Sequence, residues 1–488
     1  MIMLKKIISI AAVLCLTAAT TVFAGEALPD KYDSRDFGIV TPVRDQGDTN
    51  LCWAYATAAA SESSILKKGI DKSVSAGRAF LSPQQIGYAR NIRGADPLNN
   101  TVGEKNAYED SWKNAKGGIM YSASLLSMWC GPVGANMMYN VNGWENAKYK
   151  LESAIQIDGN KLKESEAARD KMKRAIMKYG AVTFSYNNVR ELAYYNPNGE
   201  TTSSPHACTV IGWDDTIPAS KFGPGKTTTD GGWLVKNSYN SLPYFYLSYE
   251  VTSDQVYAFD YAVCDKYDYN YFYDGLTEDF LAAGSIKSRS AVCIYESKGG
   301  ENEYIKAVSV GIVGENAECT VKIYNINGDV KAENASLAAE KKVTFEYGGY
   351  NCIELDKPVK AGAKFAVLAE TDNNAYIRLC GTESNSYLLR GYGWVSGATP
   401  RIKAFTKIIN NSVKFLDTSR VEVKTSETNK LVFAKYEGGR LSDVRMQSVN
   451  DSGIISLPNE WIKGDNTMYK AFLLDKDNLS PVCAAAYI

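Results

Sequence analysis

The sequence predicts an α+β domain followed by all-β sandwich domains. Helical patterns fall almost entirely before residue 180, whereas short alternating strands recur after about residue 265. Hydrophobic residues make up 45% of the chain and charged residues 22%, which is typical of a globular protein. Helices that come first and strands that come later favour an α+β domain over an alternating β–α–β arrangement.

The first 24 residues are typical of an export signal. Lys5 and Lys6 form a charged start, residues 7–16 are apolar, and Val22-Phe23-Ala24 is a suitable cleavage site. The apolar stretch is short for a spanning helix, and no later stretch approaches the roughly 18 continuous apolar residues that one needs. We therefore expect a secreted, extracellular protein without stable membrane insertion, and its association with the cell surface stays open.

Residues 28–262 form the predicted α+β domain. An Ala-rich helix is expected from Cys52 to Lys68, where Gly69 ends it, and residues 71–116 are expected to be mainly loop because they are polar and rich in Gly and Asn. Further helices are predicted over 121–130 and 164–179, and strands over 181–186, 206–213, 232–236 and 244–249.

Two β-rich domains are predicted over residues 265–405 and 410–488. The first is expected to be a β-sandwich, with a hairpin turn at Asn327-Gly328, and the second has a turn at Gly438-Gly439. The strand patterns of the two domains lie at 305–313, 319–324, 365–369, 430–436 and 469–474.

Charge and cysteine spacing exclude several function classes. The net charge of -1 offers no global electrostatic reason for binding nucleic acid. Ten cysteines less Cys15 of the signal leave nine, and these are sparse, with no CxxC pair and no Cys/His cluster. No structural zinc site, no other metal and no cofactor are therefore predicted. Whether the eight cysteines other than Cys52 form disulfides is left open.

Four residues in one chain order carry the predicted chemistry. Gln46 lies six residues before Cys52, which begins the Ala-rich helix; His206, the one histidine of the chain, and Asn237 follow. Alone, each is more typical of a packed thiol, a core histidine or a turn amide. Their joint occurrence in this order favours a Cys-His-Asn hydrolase.

Each residue type suits one part of acyl transfer. The start of a helix and a neighbouring imidazolium both favour the thiolate form of Cys52, which is the nucleophilic form. His206 can protonate the leaving amine, and Asn237 can hold the imidazole in a productive orientation. The Gln46 side chain and the backbone N–H of Cys52 can stabilise an oxyanion.

Residues 28–262 resemble the papain family of cysteine peptidases. The resemblance rests on residues 40–47 (VTPVRDQG), residues 81–85 (LSPQQ), Gly117-Gly118 and the four residues above. It implies a helical left subdomain and a β-rich right subdomain, with Cys52 and His206 on opposite walls of the cleft between them. It also implies that Gln46 is the oxyanion donor, Cys52 the nucleophile, His206 the acid/base and Asn237 the orienting amide.

This sequence departs from the family pattern at three points. Thr49 stands where the family often has a disulfide cysteine, and Tyr239 stands where a tryptophan usually shields the Asn-His hydrogen bond. The short stretch between the signal and Leu28 leaves no room for the family's inhibitory propeptide. The mechanism requires neither the disulfide nor the propeptide.

The resemblance also implies a substrate site. Gly117 and Gly118 would bind substrate backbone, and Ile119, Met120, Ser185 and Ala207 would line the pocket beside His206. That lining predicts an apolar side chain at the second residue before the cleaved bond. The single histidine argues against an occluding-loop carboxydipeptidase, whereas an aminopeptidase mode, with residues 71–116 blocking one end of the cleft, stays open.

Residues 265–405 resemble the lectin-like β domain that follows such peptidases in some anaerobic Gram-positive bacteria. The resemblance lies in organisation and strand pattern, so a carbohydrate or cell-surface ligand and a plain spacer role are both open. Residues 410–488 resemble small β modules at the ends of secreted clostridial proteins.

The leading functional hypothesis is a secreted bacterial cysteine endopeptidase acting on proteins or peptides. The alternative is a surface adhesion or glycan- or matrix-binding protein whose papain-like domain is a scaffold. A cell-wall amidase or acyltransferase is a third possibility, which Asn237 argues against because such enzymes usually have another third residue.

Overall fold

The computed structural model describes most of the chain beyond the predicted signal. The described residues are 27–91, 112–114, 117–136, 147–188, 192–200, 204–274, 287–330, 334–372, 374–380, 386–390, 393–395, 399–425, 428–450, 452–457, 461 and 467–488. The signal prediction for residues 1–24 and much of the predicted loop over 71–116 lie outside them.

The described residues form four α-helices, all in the first domain: α1 Cys52–Lys68, α2 Pro83–Asn91, α3 Ile119–Ser127 and α4 Glu166–Tyr179. The predicted bounds of α1 are confirmed, because Gly69 takes a left-handed conformation (φ 63°) and its N–H caps the last turn. The side chain of Ser165 caps the start of α4 by accepting from the N–H of Ala168. Helix α2 was not predicted because its sequence is short and polar: the buried side chains include Gln85 and Arg90 beside Ile86 and Ala89.

Nine strands complete the first domain: β1 Lys31–Asp33, β2 Tyr149–Ile157, β3 Val182–Asn188, β4 Tyr194–Asn196, β5 Ser204–Asp214, β6 Gly223–Pro224, β7 Gly232–Lys236, β8 Tyr244–Ser248 and β9 Val256–Val263. The four predicted strands correspond to β3, β5, β7 and β8. Strand β5 pairs with both β3 and β7, and α1 packs against β5 and β9. The α+β prediction is thereby confirmed.

Thirteen described strands follow: β10 Tyr269–Tyr271, β11 Lys287–Ser288, β12 Ser290–Glu296, β13 Glu303–Val313, β14 Ala317–Ile326, β15 Ala335–Phe345, β16 Gly348–Lys360, β17 Lys364–Thr371, β18 Tyr376–Cys380, β19 Ser386–Arg390, β20 Gly393–Val395, β21 Thr399–Pro400 and β22 Ile402–Ile408. One sheet holds β10, β22, β13 and β16, and a second has the order β15-β14-β17-β12-β19-β20. Alternate apolar side chains of both sheets form one core, which confirms the predicted sandwich. Strands β14 and β15 form a hairpin whose connection includes Asn327-Gly328, but the second strand begins at Ala335 and not near Val330, so the predicted tight turn is wrong in length.

The chain ends in a small β domain: β23 Ser412–Phe415, β24 Arg420–Lys424, β25 Asn429–Glu437, β26 Arg440–Val449, β27 Gly453–Ser456, β28 Thr467–Asp475 and β29 Ala486–Tyr487. Gly438 and Gly439 connect β25 to β26 with φ of 55° and 79°. Two successive positive φ values are what the predicted tight hairpin turn requires.

A single sheet runs from the first domain into the sandwich. Its strand order is β10-β22-β13-β16-β2-β9-β3-β5-β7-β8-β4-β6. The junction is the antiparallel pairing of Gly348–Tyr350 in β16 with Ala154–Gln156 in β2. The two domains therefore share backbone hydrogen bonds as well as side-chain contacts.

Buried charges also lie at this junction. Asp274, Arg401 and Lys403 are fully buried, with Lys403 Nζ 2.5 Å and Arg401 Nη1 3.3 Å from the Asp274 carboxylate. Arg401 Nη1 also lies 3.3 Å from the Ser124 hydroxyl in α3 and 2.7 Å from the Tyr350 hydroxyl. Buried charges of this kind are tolerated only when they are paired and hydrogen-bonded.

All nine cysteines beyond the predicted signal lie among the described residues, and none of them is in a disulfide there. The cysteines whose pairing the sequence left open are therefore not bridged, and Cys293 and Cys319 pack as buried core residues. Within the described ranges, no three His, Cys, Asp or Glu side chains converge as metal ligands would. None of the described helices is long and apolar enough to cross a membrane.

Candidate active site

A cleft of about 530 Å³ lies between the helical part of the first domain and its β-sheet. It brings together eight residues that the sequence singles out: Gln46, Cys52, Gly117, Gly118, Ile119, Ser185, His206 and Ala207. Asn237 lies behind His206, outside the lining, and Met120 points away from the cleft towards the sandwich. Trp53, Asn188, Tyr239 and Gln255 are among the other lining residues.

Cys52 is the first residue of α1, and its half-buried side chain faces the cleft. Leu51 precedes it without a side-chain cap, so no capping side chain competes with an anion at the helix start, although the N–H groups of Ala54 and Tyr55 already donate to the Leu51 carbonyl. Burial raises the pKa of the Cys52 thiol, while hydrogen bonds from the backbone of Ala207 and Trp53 act in the opposite direction. Since burial dominates, the thiolate needs a further positive partner, and His206 is the ionisable residue of the cleft that can supply it.

His206 lies on β5, and its Nε2 is 3.0 Å from Asn237 Oδ1. The Asn237 amide is oriented by two further bonds: Ser238 N–H donates to Oδ1 at 2.8 Å, and Nδ2 donates to the Leu242 carbonyl at 3.0 Å. An amide oxygen only accepts, so Nε2 of His206 must carry a hydrogen. Nδ1 is therefore the nitrogen that gains and loses a proton.

Aromatic rings cover the imidazole. The Tyr239 ring stacks on His206 with centroids 5.5 Å apart and 24° between the planes, and the Tyr186 ring meets it edge-on at 5.9 Å. Tyr239 thus lies over the His206–Asn237 pair, where the family pattern has tryptophan. The covering ring keeps water from a hydrogen bond that is stronger in a dry environment.

Gln46 is held by both sides of the cleft. Its Nε2 donates to the Thr49 carbonyl at 2.6 Å, its Oε1 accepts from the Ser238 hydroxyl at 2.6 Å, and its backbone N–H donates to the Ser238 carbonyl at 2.9 Å. One N–H of the side-chain amide is left over by these bonds. That N–H and the backbone N–H of Cys52 can act together on an oxyanion in the cleft.

Gly117 and Gly118 have no side chain, which lets Trp53 and Gln255 pack directly against their backbone. A Cβ on Gly117 would lie 2.4 Å from the Trp53 ring, and a Cβ on Gly118 would lie 2.6 Å from Gln255 Oε1. The same Gln255 oxygen accepts from the N–H of Ile119 at 2.9 Å, which joins the start of α3 to the segment before β9. Gln255 was missed from the sequence because a lone Gln before a strand carries no signal of a cleft residue.

A second thiol lies behind His206 and Asn237 and was also missed. Cys208 is buried on β5, and its Sγ lies 3.4 Å from Asn237 Oδ1. Beside it, the buried Lys236 ammonium donates to the Thr41 hydroxyl at 3.1 Å. Burial lowers the pKa of Lys236 to about 8, and the carboxylate of Glu62 only partly offsets it.

Two family models match successive parts of the chain, which correspond to the first domain and the sandwich. Residues 28–242 match the model of papain family cysteine proteases, and residues 269–391 match the model of the lectin-like domain. The boundaries predicted from the sequence, 28–262 and 265–405, are wider than these matches.

Individual proteins are similar over different lengths. Cathepsin K of Mus musculus is 26% identical over 221 residues, which are 43% of this chain and 56% of that protein. The chain thus spans about half the length of the curated relatives that it matches.

Two structures of the clostridial cysteine protease Cwp84 have the same fold, each with a TM-score of 0.59. One, determined after propeptide cleavage, is 20% identical and covers 77% of this chain and 99% of that one. The other, the protease and lectin-like domains of this surface layer associated protein of Clostridium difficile, is 19% identical and covers 78% and 89%.

Proposed function

Since residues 28–242 are a papain-family cysteine protease domain and residues 269–391 a lectin-like domain, we propose that this protein is a secreted cysteine endopeptidase. It hydrolyses peptide bonds of protein or peptide substrates through a thioester on Cys52. The observation that carries the proposal is the hydrogen bond of His206 Nε2 to Asn237 Oδ1 beneath Tyr239, at the wall of a cleft that Cys52 also lines. This bond reserves Nδ1 for proton transfer with the thiol.

Acylation uses the thiolate–imidazolium pair. The Cys52 sulfur attacks the carbonyl carbon of the scissile bond, and the carbonyl oxygen becomes an oxyanion that accepts from the Gln46 side-chain N–H and the Cys52 backbone N–H. As the carbon–nitrogen bond breaks, its electron pair stays on the amine, which takes the proton from His206 Nδ1. The products of this step are a thioester and a free amine.

Deacylation restores the resting pair. Water attacks the thioester carbonyl while neutral His206 accepts one of its protons at Nδ1. When the carbon–sulfur bond breaks, the electron pair returns to Cys52, and the acid product leaves. Asn237 keeps the ring in one orientation through both steps, and Tyr239 limits the access of water to their hydrogen bond.

We further propose that the protein acts outside the cell, in association with the cell surface. The export signal predicted over residues 1–24 supports secretion, and the likeness of fold to the surface layer associated Cwp84 supports the location. A carbohydrate or other cell-surface ligand for the lectin-like domain would hold the peptidase there. An adhesion protein with an inactive papain-like scaffold is the second candidate, supported by the same lectin-like domain.

Cleavage of a mixed peptide library decides between the two candidates. The mature chain is incubated under reducing conditions at about pH 6–7, where an imidazole can both give and accept protons. The matched control is Cys52→Ala. Hydrolysis by the first protein and none by the second is the expected result. If neither cleaves, and a thiol-directed epoxide leaves Cys52 unmodified, the peptidase proposal is wrong and glycan binding becomes the property to measure.

A further inference from the structure

The lectin-like domain reaches the substrate cleft through one side chain. Arg378 lies on β18, which pairs with β13 of the sandwich, and its guanidinium extends to the first domain. Nη2 donates to Gln156 Oε1 in β2 at 2.9 Å, and Nη1 lies 3.8 Å from the Met120 sulfur in α3. The guanidinium also hydrogen-bonds the buried Tyr257 hydroxyl in β9, so one side chain of the sandwich contacts α3, β2 and β9 of the peptidase domain.

The two contacts of Arg378, with Met120 and with Gln156, both lie next to the cleft wall that Ile119 and Gln255 form. Met120 follows Ile119, whose N–H donates to Gln255 Oε1. The amide of Gln156 accepts from Arg378 on one side and donates to the Asp254 carbonyl at 3.2 Å on the other. Asp254 precedes Gln255 in the chain. The wall of the cleft is closed by the hydrogen bond between Ile119 and Gln255. Arg378 therefore acts on the residue next to each of them: it contacts Met120 directly, and it reaches Asp254 through Gln156.

The rest of α3 is also held from the sandwich side. The Ser127 carbonyl, in its last turn, accepts from the Asn270 side chain at 2.9 Å, and the Ser124 hydroxyl lies 3.3 Å from the buried Arg401 guanidinium. These two contacts lie far along the helix from the cleft. The contact of Arg378 with Met120 differs because it lies at the helix start, next to the glycine pair.

We infer that Arg378 is a positioning residue for substrate selection, so that the lectin-like domain takes part in forming the pocket bounded by Ile119 and Gln255. This inference rests on the proposed peptidase function. Arg378 touches no reacting atom and acts through Gln156 and Met120. Its planar fork of donors suits this role because two acceptors can be held at once, which a lysine cannot do in the same geometry.

The test compares three variants with the full-length chain. Arg378→Ala removes its contacts with Met120, Gln156 and Tyr257, whereas Gln156→Met breaks only the path through Gln156 to Asp254, at nearly constant side-chain length. Arg289→Ala is the matched control, because Arg289 lies over Tyr376 within the lectin-like domain. For each protein, kcat and KM are measured on a peptide library varied at the second residue before the cleaved bond, together with the alkylation rate of Cys52.

We expect Arg378→Ala and Gln156→Met to raise KM by about fivefold to tenfold, as the loss of one or two hydrogen bonds would. Both should flatten the preference at the varied position and leave kcat and Cys52 alkylation close to those of the unaltered protein and of Arg289→Ala. An unchanged KM and an unchanged preference in both variants would overturn the inference while leaving the peptidase intact. If Arg378→Ala fails to fold, Gln156→Met decides alone. Failure of the proposed function itself is distinct, because the unaltered protein would then cleave nothing.

Discussion

The Tyr239 ring lies nearly parallel to the His206 imidazole, with their centroids 5.5 Å apart. Tyr239→Ala should lower kcat/KM by about tenfold or more, because water would then compete for the His206–Asn237 hydrogen bond. Tyr239→Phe keeps the ring and should stay within about twofold of the unaltered enzyme. Steady-state kinetics on one peptide measures both variants. Equal activity of the Ala and Phe variants would contradict a shielding role.

Cys208 competes with His206 for one acceptor. Its thiol lies 3.4 Å from Asn237 Oδ1, which also accepts from His206 Nε2. In Cys208→Val the oxygen has one donor fewer, binds the Nε2–H more strongly and favours the imidazolium. We expect the basic limb of the pH–rate profile to move upward by roughly 0.3 to 0.5 unit. Cys293→Val, which removes a buried thiol from the sandwich core, is the control and should not move it.

The reactivity of Cys52 should depend on His206 in a pH-dependent way. Burial raises the pKa of the thiol, so without an imidazolium it should stay protonated at neutral pH. In His206→Ala, alkylation of Cys52 at about pH 6 should fall by at least a hundredfold and recover as the pH rises. Iodoacetamide labelling followed by peptide mass analysis measures the rate at this residue alone. A rate at about pH 6 that is independent of His206 would show that the helix start alone activates the thiol.

Lys236 should make stability depend on pH above neutrality. Its pKa in the folded protein is lowered to about 8 by burial, against about 10.4 when unfolded. Between these values the unfolded chain binds more protons, so the free energy of unfolding rises with pH. From about pH 8 to 9.5 the unaltered protein should gain about 1 to 2 kcal/mol relative to Lys236→Met. Urea unfolding at several pH values measures the difference, and a constant difference would mean that Lys236 titrates normally.

Asp274 balances two buried cations. In Asp274→Asn, Arg401 and Lys403 keep their buried positions but lose the carboxylate, which should cost about 3 to 5 kcal/mol of unfolding free energy. The control is Asp356→Asn, whose exposed pair with Lys341 should contribute no more than about 1 kcal/mol. Denaturant unfolding of both variants provides the comparison. Similar losses in the two would mean that the buried cluster contributes no more than a surface pair.

The helix bounds and turns that were predicted correctly depend on short stretches of sequence. The bounds of α1 follow from an Ala-rich run and Gly69, and the hairpin at Gly438-Gly439 follows from residues that tolerate positive φ. The grouping of Cys52 and His206 followed from the chain order of Gln46, Cys52, His206 and Asn237 and from the family resemblance, and not from periodicity. Gln255 and Arg378 act through contacts between residues more than a hundred positions apart, and no local pattern reports such contacts.

The pairing of β16 with β2 shows the same limit most clearly. Gly348–Tyr350 and Ala154–Gln156 lie almost two hundred residues apart in the chain, and each segment alone predicts only a strand. The sequence indicated two successive domains, and their fold classes are confirmed. Their joining into one sheet depends on which edges meet, which is a property of the folded domains.

This shared ladder has a mechanical consequence. Force applied to the lectin-like domain, for instance by attachment to a surface, would pass through the backbone hydrogen bonds of β16 into β2, two strands away from β3 and its cleft residue Ser185. A ladder resists bending in a way that a loop hinge does not. The direction in which the cleft opens is therefore fixed relative to the lectin-like domain when the chain folds, and a surface that held this domain would meet the cleft at one angle.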